Sequence, residues 1–132
     1  MSKLNIMVVD DSALVVKRLA AMLEQLGHEV SKVCKTGTEA VQTVEYLVKN
    51  GHPLPDLITM DITMPDMDGI NATQHILNAY PEALIIMVTS HGQEQMVIDA
   101  VKAGAKGYVL KPIKQDKLQE SIKSVISHYK KK

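Results

Sequence analysis

Short runs of apolar residues alternate along this chain with longer stretches in which apolar residues recur every three or four positions. The first period predicts strands and the second predicts amphipathic helices. LNIMVV (Leu4 to Val9) is apolar at almost every position, as a strand covered on both faces would be, and it ends at Asp10 and Asp11. A helix is expected from about Ser12, with Val16, Leu19, Leu23 and Leu26 on one face and Gly27 as its stop. EVSKVC predicts a second strand. TGTE (Thr36 to Glu39) has the form of a capping box, and Ala40, Val44, Leu47 and Val48 form the stripe of the helix it opens. HPLP then breaks the chain before a third strand, DLITM.

Asp68-Gly69 opens a third helix with Ile70, Thr73, Ile76 and Leu77 turned inward, ending near Pro81. ALIIMVT predicts a fourth strand, QEQMVIDAVKAG a helix closed by Gly104, and GYVL a fifth strand. The last helix is expected over KQDKLQESIKSVISHY, with Leu118, Ile122, Val125 and Tyr129 in register. Strand and helix alternate throughout, which predicts an α/β fold with a parallel sheet covered on both faces.

At 132 residues with no linker-like segment, the expectation is one domain over 1–132 with its core at about 5–128. Phe and Trp are absent, so aliphatic residues and the eight Met must fill the core. No apolar run approaches the roughly 20 residues that span a bilayer, and no signal-peptide pattern opens the chain, so a cytoplasmic protein is expected. The single cysteine, Cys34, excludes an internal disulfide and reads as a small buried hydrophobe. Net charge is zero, which argues against direct nucleic-acid binding. The charges are nonetheless segregated. No Lys or Arg lies between Asn50 and Val101, where seven acids do, whereas nine Lys lie from Lys102 onward, including the basic tail YKKK. Solvated faces could produce this, and so could an acidic site served by a basic element.

In open parallel sheets, ligands gather at the carboxyl ends of the strands, near the point where strand order reverses. Here those ends carry Asp10-Asp11, Asp61, Thr89-Ser90 and Lys111-Pro112. Three converging carboxylates repel unless a cation joins them, and an all-oxygen set of carboxylates, carbonyl and water suits Mg²⁺. A carboxylate is a covalent acceptor of phosphoryl groups. Lys111 could supply a positive charge to phosphoryl oxygens and Thr89 a hydroxyl donor.

VVDDS at Val8 to Ser12, MDITMPDMDG at Met60 to Gly69, VTS at Val88 to Ser90 and GYVLKP at Gly107 to Pro112 together resemble the receiver domains of two-component response regulators. The resemblance runs from about Asn5 to His128 and is greatest to the stand-alone, CheY-like type. It implies a flavodoxin-like, doubly wound five-stranded parallel sheet of order 2-1-3-4-5 with five helices. It further implies Asp61 as phosphoacceptor, a histidine kinase as donor, and Mg²⁺ held by Asp10, Asp11, Asp61 and the backbone carbonyl of Thr63. Thr89 and Lys111 would assist the transfer, Thr89 and Tyr108 would form the switch, and Thr63 and His91 would tune dephosphorylation. The Lys111-Pro112 bond is expected to be cis. Ile113 departs from the Phe that often follows Lys-Pro in the family.

Plainer roles stay open for several of these residues. Asp10 and Asp11 could cap a helix, Thr89 could be a strand-end hydroxyl, Lys111 a surface lysine and Tyr108 core. For Asp66 and Asp68 a turn leading into a helix cap is the favoured reading. The other histidines show no metal spacing. A switched surface is expected on the fourth helix, fifth strand and fifth helix, with Lys102, Lys106, Tyr108, Lys114 and Lys117, suited to an acidic protein target or a homodimer. Three alternatives differ in class. One is a receiver excised from a longer regulator with a separate output domain. Another is an aspartate-nucleophile phosphohydrolase of the haloacid dehalogenase type, whose D-x-D pattern VVDDS lacks. The last is a flavodoxin, which would need a Ser/Thr/Gly-rich phosphate loop after the first strand, where two acids would repel a phosphate.

Overall fold

The computed structural model describes residues 3–129, so the basic tail beyond Tyr129 lies outside the described residues. Five strands, β1 (Asn5–Val9), β2 (Glu29–Cys34), β3 (Leu57–Met60), β4 (Ile85–Thr89) and β5 (Gly107–Leu110), pair in parallel in the order β2-β1-β3-β4-β5. Between and after them run α1 (Ala13–Gln25), α2 (Gly37–Lys49), α3 (Gly69–Ala79), α4 (Glu94–Ala103) and α5 (Gln115–Tyr129). This is the flavodoxin-like order expected above.

The two faces of the sheet bury two separate cores. Alternation along β1 sends Met7 and Val9 to one side and Ile6 and Val8 to the other. The first side packs against Val44 of α2, Ala72 and Ile76 of α3 and Ala100 of α4, and the second against Leu19 and Leu23 of α1 and Leu118, Ile122 and Val125 of α5. Every residue of β3 and β4 is buried, as their unbroken apolar runs require. Met7, Met60 and Met87 are fully buried, and Cys34 is buried with them.

The helix ends follow the local chemistry of the sequence. Ser12 caps α1 by accepting the Val15 N–H at 3.3 Å. Gly27, at φ 91°, closes it, with the His28 N–H donating to the Leu23 carbonyl. Thr36 caps α2 by accepting the Glu39 N–H. The Glu39 carboxylate accepts from the Lys35 N–H, one residue before the cap, rather than from the cap's own N–H.

Tyr129 departs from the expected inner stripe of α5. It is 48% exposed. Helix α5 outruns the sheet at this end: β5 starts at Gly107, and the Tyr129 ring lies under the ammonium of Lys106, just before that start. The predicted third and fourth strands also begin early, since β3 starts at Leu57, where it pairs with Ile6 of β1, and β4 at Ile85, where it pairs with Ile58.

Candidate functional site

Strand order reverses between β2 and β3 on either side of β1, which puts the ends of β1 and β3 at the switch point of the sheet. There Asp10, Asp11 and Asp61 each offer a carboxylate oxygen, and these oxygens lie within 4.8 Å of one another. Asp10 is 2% and Asp61 7% exposed, while Asp11 is open to solvent.

Backbone geometry fixes each acid. The Asp10 N–H donates to the Cys34 carbonyl and the Asp61 N–H to the Val9 carbonyl, so the ladder continues one residue past each strand. Asp10 Oδ1 then accepts the Ser12 N–H at 2.9 Å, and Asp61 Oδ1 accepts the Ile62 N–H at 2.9 Å. Gly69 clamps Asp61 from behind. Its N–H donates to the Ile62 carbonyl, and a Cβ at this position would lie 1.9 Å from the Asp61 carbonyl oxygen. A side chain there would push the start of α3 off the loop that carries Asp61.

Lys111 reaches the cluster from the end of β5. Its Nζ lies 2.8 Å from Asp10 Oδ2 and 3.6 Å from Asp61 Oδ1. The shorter contact goes to the more buried acid, which has the greater need of a counter-charge. The Lys111-Pro112 bond is cis. Burial raises the Asp61 carboxyl above its ordinary range, and the negative charge of Asp10 pushes it further. Lys111 and the Ile62 N–H oppose that rise, and Asp11 adds to it. Three carboxylates against one ammonium leave the cluster under-compensated.

Thr89 is fully buried at the end of β4, and its hydroxyl oxygen accepts the His91 N–H at 3.3 Å. Tyr108, half-buried on β5, donates its hydroxyl to the His91 carbonyl at 2.6 Å, and burial raises the pKa of that phenol. His91 Nε2 meets Thr63 Oγ1 at 2.6 Å. The acids, Lys111, Thr89, Thr63, His91 and Tyr108 thus share the strand-tip edge of the sheet. Asp66 and Asp68 do not join the carboxylate cluster. Asp66 is a turn residue at φ 71°, and Asp68 caps α3 through the Asn71 N–H. Two contributors were not singled out from sequence. Ser12 holds Asp10 through its backbone, and the DDS run before a helix was the available signal. Gly69 carried its signal in the DG pair, read there only as a helix start.

The model of the response regulator receiver domain matches residues 6–123. The chain belongs to the response regulator receiver family. The receiver is 38% identical over 121 residues to the chemotaxis protein CheY of Thermotoga maritima, covering 92% of this chain and 96% of that protein. It is 40% identical over 123 residues to the CheY of Bacillus subtilis, covering 93% and 98% respectively. Among solved structures, the receiver superposes on the CheX-CheY-BeF3-Mg²⁺ complex from Borrelia burgdorferi with a TM-score of 0.86 at 34% identity, over 95% of this chain and 90% of that one. It is a CheY-like response regulator receiver, a signalling domain rather than a classical enzyme. No helix among the described residues is long and apolar enough to cross a membrane.

Proposed function

We propose that Asp61 is the phosphoacceptor of this receiver, taking a phosphoryl group from a phosphohistidine of a histidine kinase. One observation carries the reading: Asp61, nearly buried at the end of β3 with two further carboxylates beside it, has the Lys111 Nζ 3.6 Å from its Oδ1. Such an arrangement disfavours bare carboxylate charge and leaves Asp61 a better nucleophile than a free aspartate. The ion pair with Lys111 and the Ile62 hydrogen bond both fall on Oδ1, so Oδ2 is the oxygen assigned to attack. Its bond to phosphorus forms as the phosphorus–nitrogen bond of the donor breaks, and the departing imidazole takes up a proton.

The donor set fits a hard divalent cation, with carboxylates of Asp10, Asp11 and Asp61 and the backbone carbonyl of Thr63 as the residues that would hold Mg²⁺. When bound, Mg²⁺ supplies positive charge that offsets the acids and the phosphoryl oxygens. Lys111 stabilises the phosphoryl oxygens from the β5 side, and the Thr89 hydroxyl donates to them once it turns from the His91 N–H. Phosphorylation thereby biases Thr89 and Tyr108, and with them the face of α4, β5 and α5. That face holds a groove of about 730 Å³ running along β5 and α5, past Lys106, Tyr108, Lys114 and Lys117. With Lys102 also exposed nearby, it suits an acidic protein target or a second copy of the chain. The chain over 5–128 is read as one such domain, without contacts of its own to nucleic acid or membrane.

Incubation with acetyl phosphate should label the protein with acid-labile phosphate when Mg²⁺ is present. Labelling should vanish in Asp61→Asn and in excess chelator. Label that survives Asp61→Asn would overturn the assignment.

A further inference from the structure

The loop after β3 closes on itself. The Gly69 N–H donates to the Ile62 carbonyl at 2.8 Å, the Met67 N–H donates to the Pro65 carbonyl at 2.9 Å, and Asp66 between them stands at φ 71°. Residues 63–68 therefore form a short lobe with a hydrogen-bonded neck, and a lobe this tight cannot give way at one point without moving at the others. Helix α2 supports it from the side. Gly37, the first residue of α2, is buried, and a Cβ there would stand 2.2 Å from the Met67 carbonyl oxygen and 2.9 Å from the carbonyl carbon. The obstacle is main chain, which cannot swing aside as the tip of a side chain can. Nor can α2 retreat, because Ala40 and Val44 are fully buried and Thr36 fixes its start by accepting the Glu39 N–H at 3.0 Å. Glycine is a poor helix former, so its place in the first turn needs a reason other than propensity. The close approach of Met67 supplies one.

We propose that Gly37 is a positioning residue for the cation site: lacking a side chain, it lets the start of α2 seat the lobe after β3 and so hold the Thr63 carbonyl in place. The inference rests on the acidic cluster and that carbonyl being the site that takes Mg²⁺. Two helices then grip the loop at two points through glycine. Gly69 of α3 fits against the Asp61 carbonyl, and Gly37 of α2 against the Met67 carbonyl. Their effects differ. Gly69 lies behind the carboxylate assigned to receive the phosphoryl group, whereas Gly37 bears on the lobe that opens with Thr63. A side chain at Gly37 displaces the lobe while leaving Asp61 on its strand, where its N–H is held by the Val9 carbonyl.

The test reads Mg²⁺ affinity of the unphosphorylated protein by titration calorimetry, apart from any labelling. Gly37→Ala should weaken binding about 10-fold or more, the usual cost of losing a support behind a metal ligand. The Mg²⁺ concentration that half-saturates labelling by acetyl phosphate should rise by the same factor, while the rate at saturating Mg²⁺ stays near that of wild type. Gly51→Ala, at the far end of α2, is the control. Its φ of 77° strains any side chain although nothing lies within 4 Å, so it should lower the urea midpoint and leave Mg²⁺ affinity unchanged. Wild-type affinity in folded Gly37→Ala, or an equal loss in Gly51→Ala, would overturn the proposal. If Gly37→Ala does not fold, the wild-type protein decides: saturating Mg²⁺ should shift the Gly37 amide resonance and not that of Gly51, and an unmoved Gly37 amide would overturn the proposal. Wild-type protein that takes up no Mg²⁺ would instead overturn the cation reading itself, so the two failures are distinct.

Discussion

At the start of β1, the buried ring of His28 accepts the Leu4 N–H on Nδ1 at 3.1 Å. At the end of the same strand, buried Asp10 accepts the Ser12 N–H and pairs with Lys111 at 2.8 Å. Both are polar groups withdrawn from water, and both are hydrogen-bonded, as burial demands. They differ in what is left over. Burial lowers the pKa of His28 and so favours its neutral form, in which Nδ1 accepts the Leu4 N–H and no charge is left uncompensated. At the other end, Lys111 pairs with Asp10 and Asp61 while Asp11 adds a third carboxylate, and among the described residues no second cation pairs with the cluster. A closed account marks a structural residue, and a deficit marks a place prepared for something from outside.

Removing the cation that Lys111 supplies should break this contrast most severely. Lys111→Met leaves Asp10 buried without its counter-charge, and stability measured by urea unfolding in chelator should fall by about 3–5 kcal/mol. Added Mg²⁺ should recover part of that loss, and indifference to Mg²⁺ would count against the cluster as a cation site. Taking away one of the surplus charges should act the other way. In metal-free protein at pH 7, Asp61→Asn should raise stability by about 1 kcal/mol while abolishing labelling. The sign follows from the raised carboxyl: the fold disfavours its charged form, so its contribution is lost as pH rises from the ordinary value of 3.8 through the folded one. An unchanged or lower midpoint of unfolding in the variant would show that the acids are not in conflict.

The smallest effect is expected at the closed end. With its pKa lowered from 6.5, His28 binds a proton more readily in the unfolded chain, so stability rises with pH across the window below 6.5. Wild-type protein should therefore lose stability between pH 7 and pH 5 more steeply than His28→Gln, whose amide oxygen can still accept from Leu4 but does not titrate. The slope attributable to one group cannot exceed about 1.4 kcal/mol per pH unit. Parallel pH profiles for the two proteins would remove His28 as the source.

This contrast also marks what could be read from the chain. The apolar periods yield every strand and helix, because the central strands β3 and β4 are buried throughout and each helix has one wet face. Asp10, Asp11, Asp61 and Lys111 were legible as strand-end residues, since a parallel sheet leaves few other places for them to meet. Partners that depend on the third dimension were not. That Lys111 favours Asp10 over Asp61 follows from relative burial, which no spacing encodes. His91 joins Thr63 across 28 residues, a bond that no local pattern announces. Tyr129 kept perfect helical register yet missed the core, because periodicity says which way a side chain points and not where the sheet beneath it stops. The hydroxyl of Thr59, inside an apolar run on β3, is buried without a hydrogen-bond partner, and nothing in the structure explains it.

The ion pair between Lys111 and Asp10 spans 101 residues of sequence. During synthesis, then, the lysine leaves the ribosome only after every other member of the cluster. Until β5 docks at the sheet's edge, an emerging chain has the acids without their cation. The cluster therefore gains its cation late, and only through a contact that the far edge of the sheet supplies.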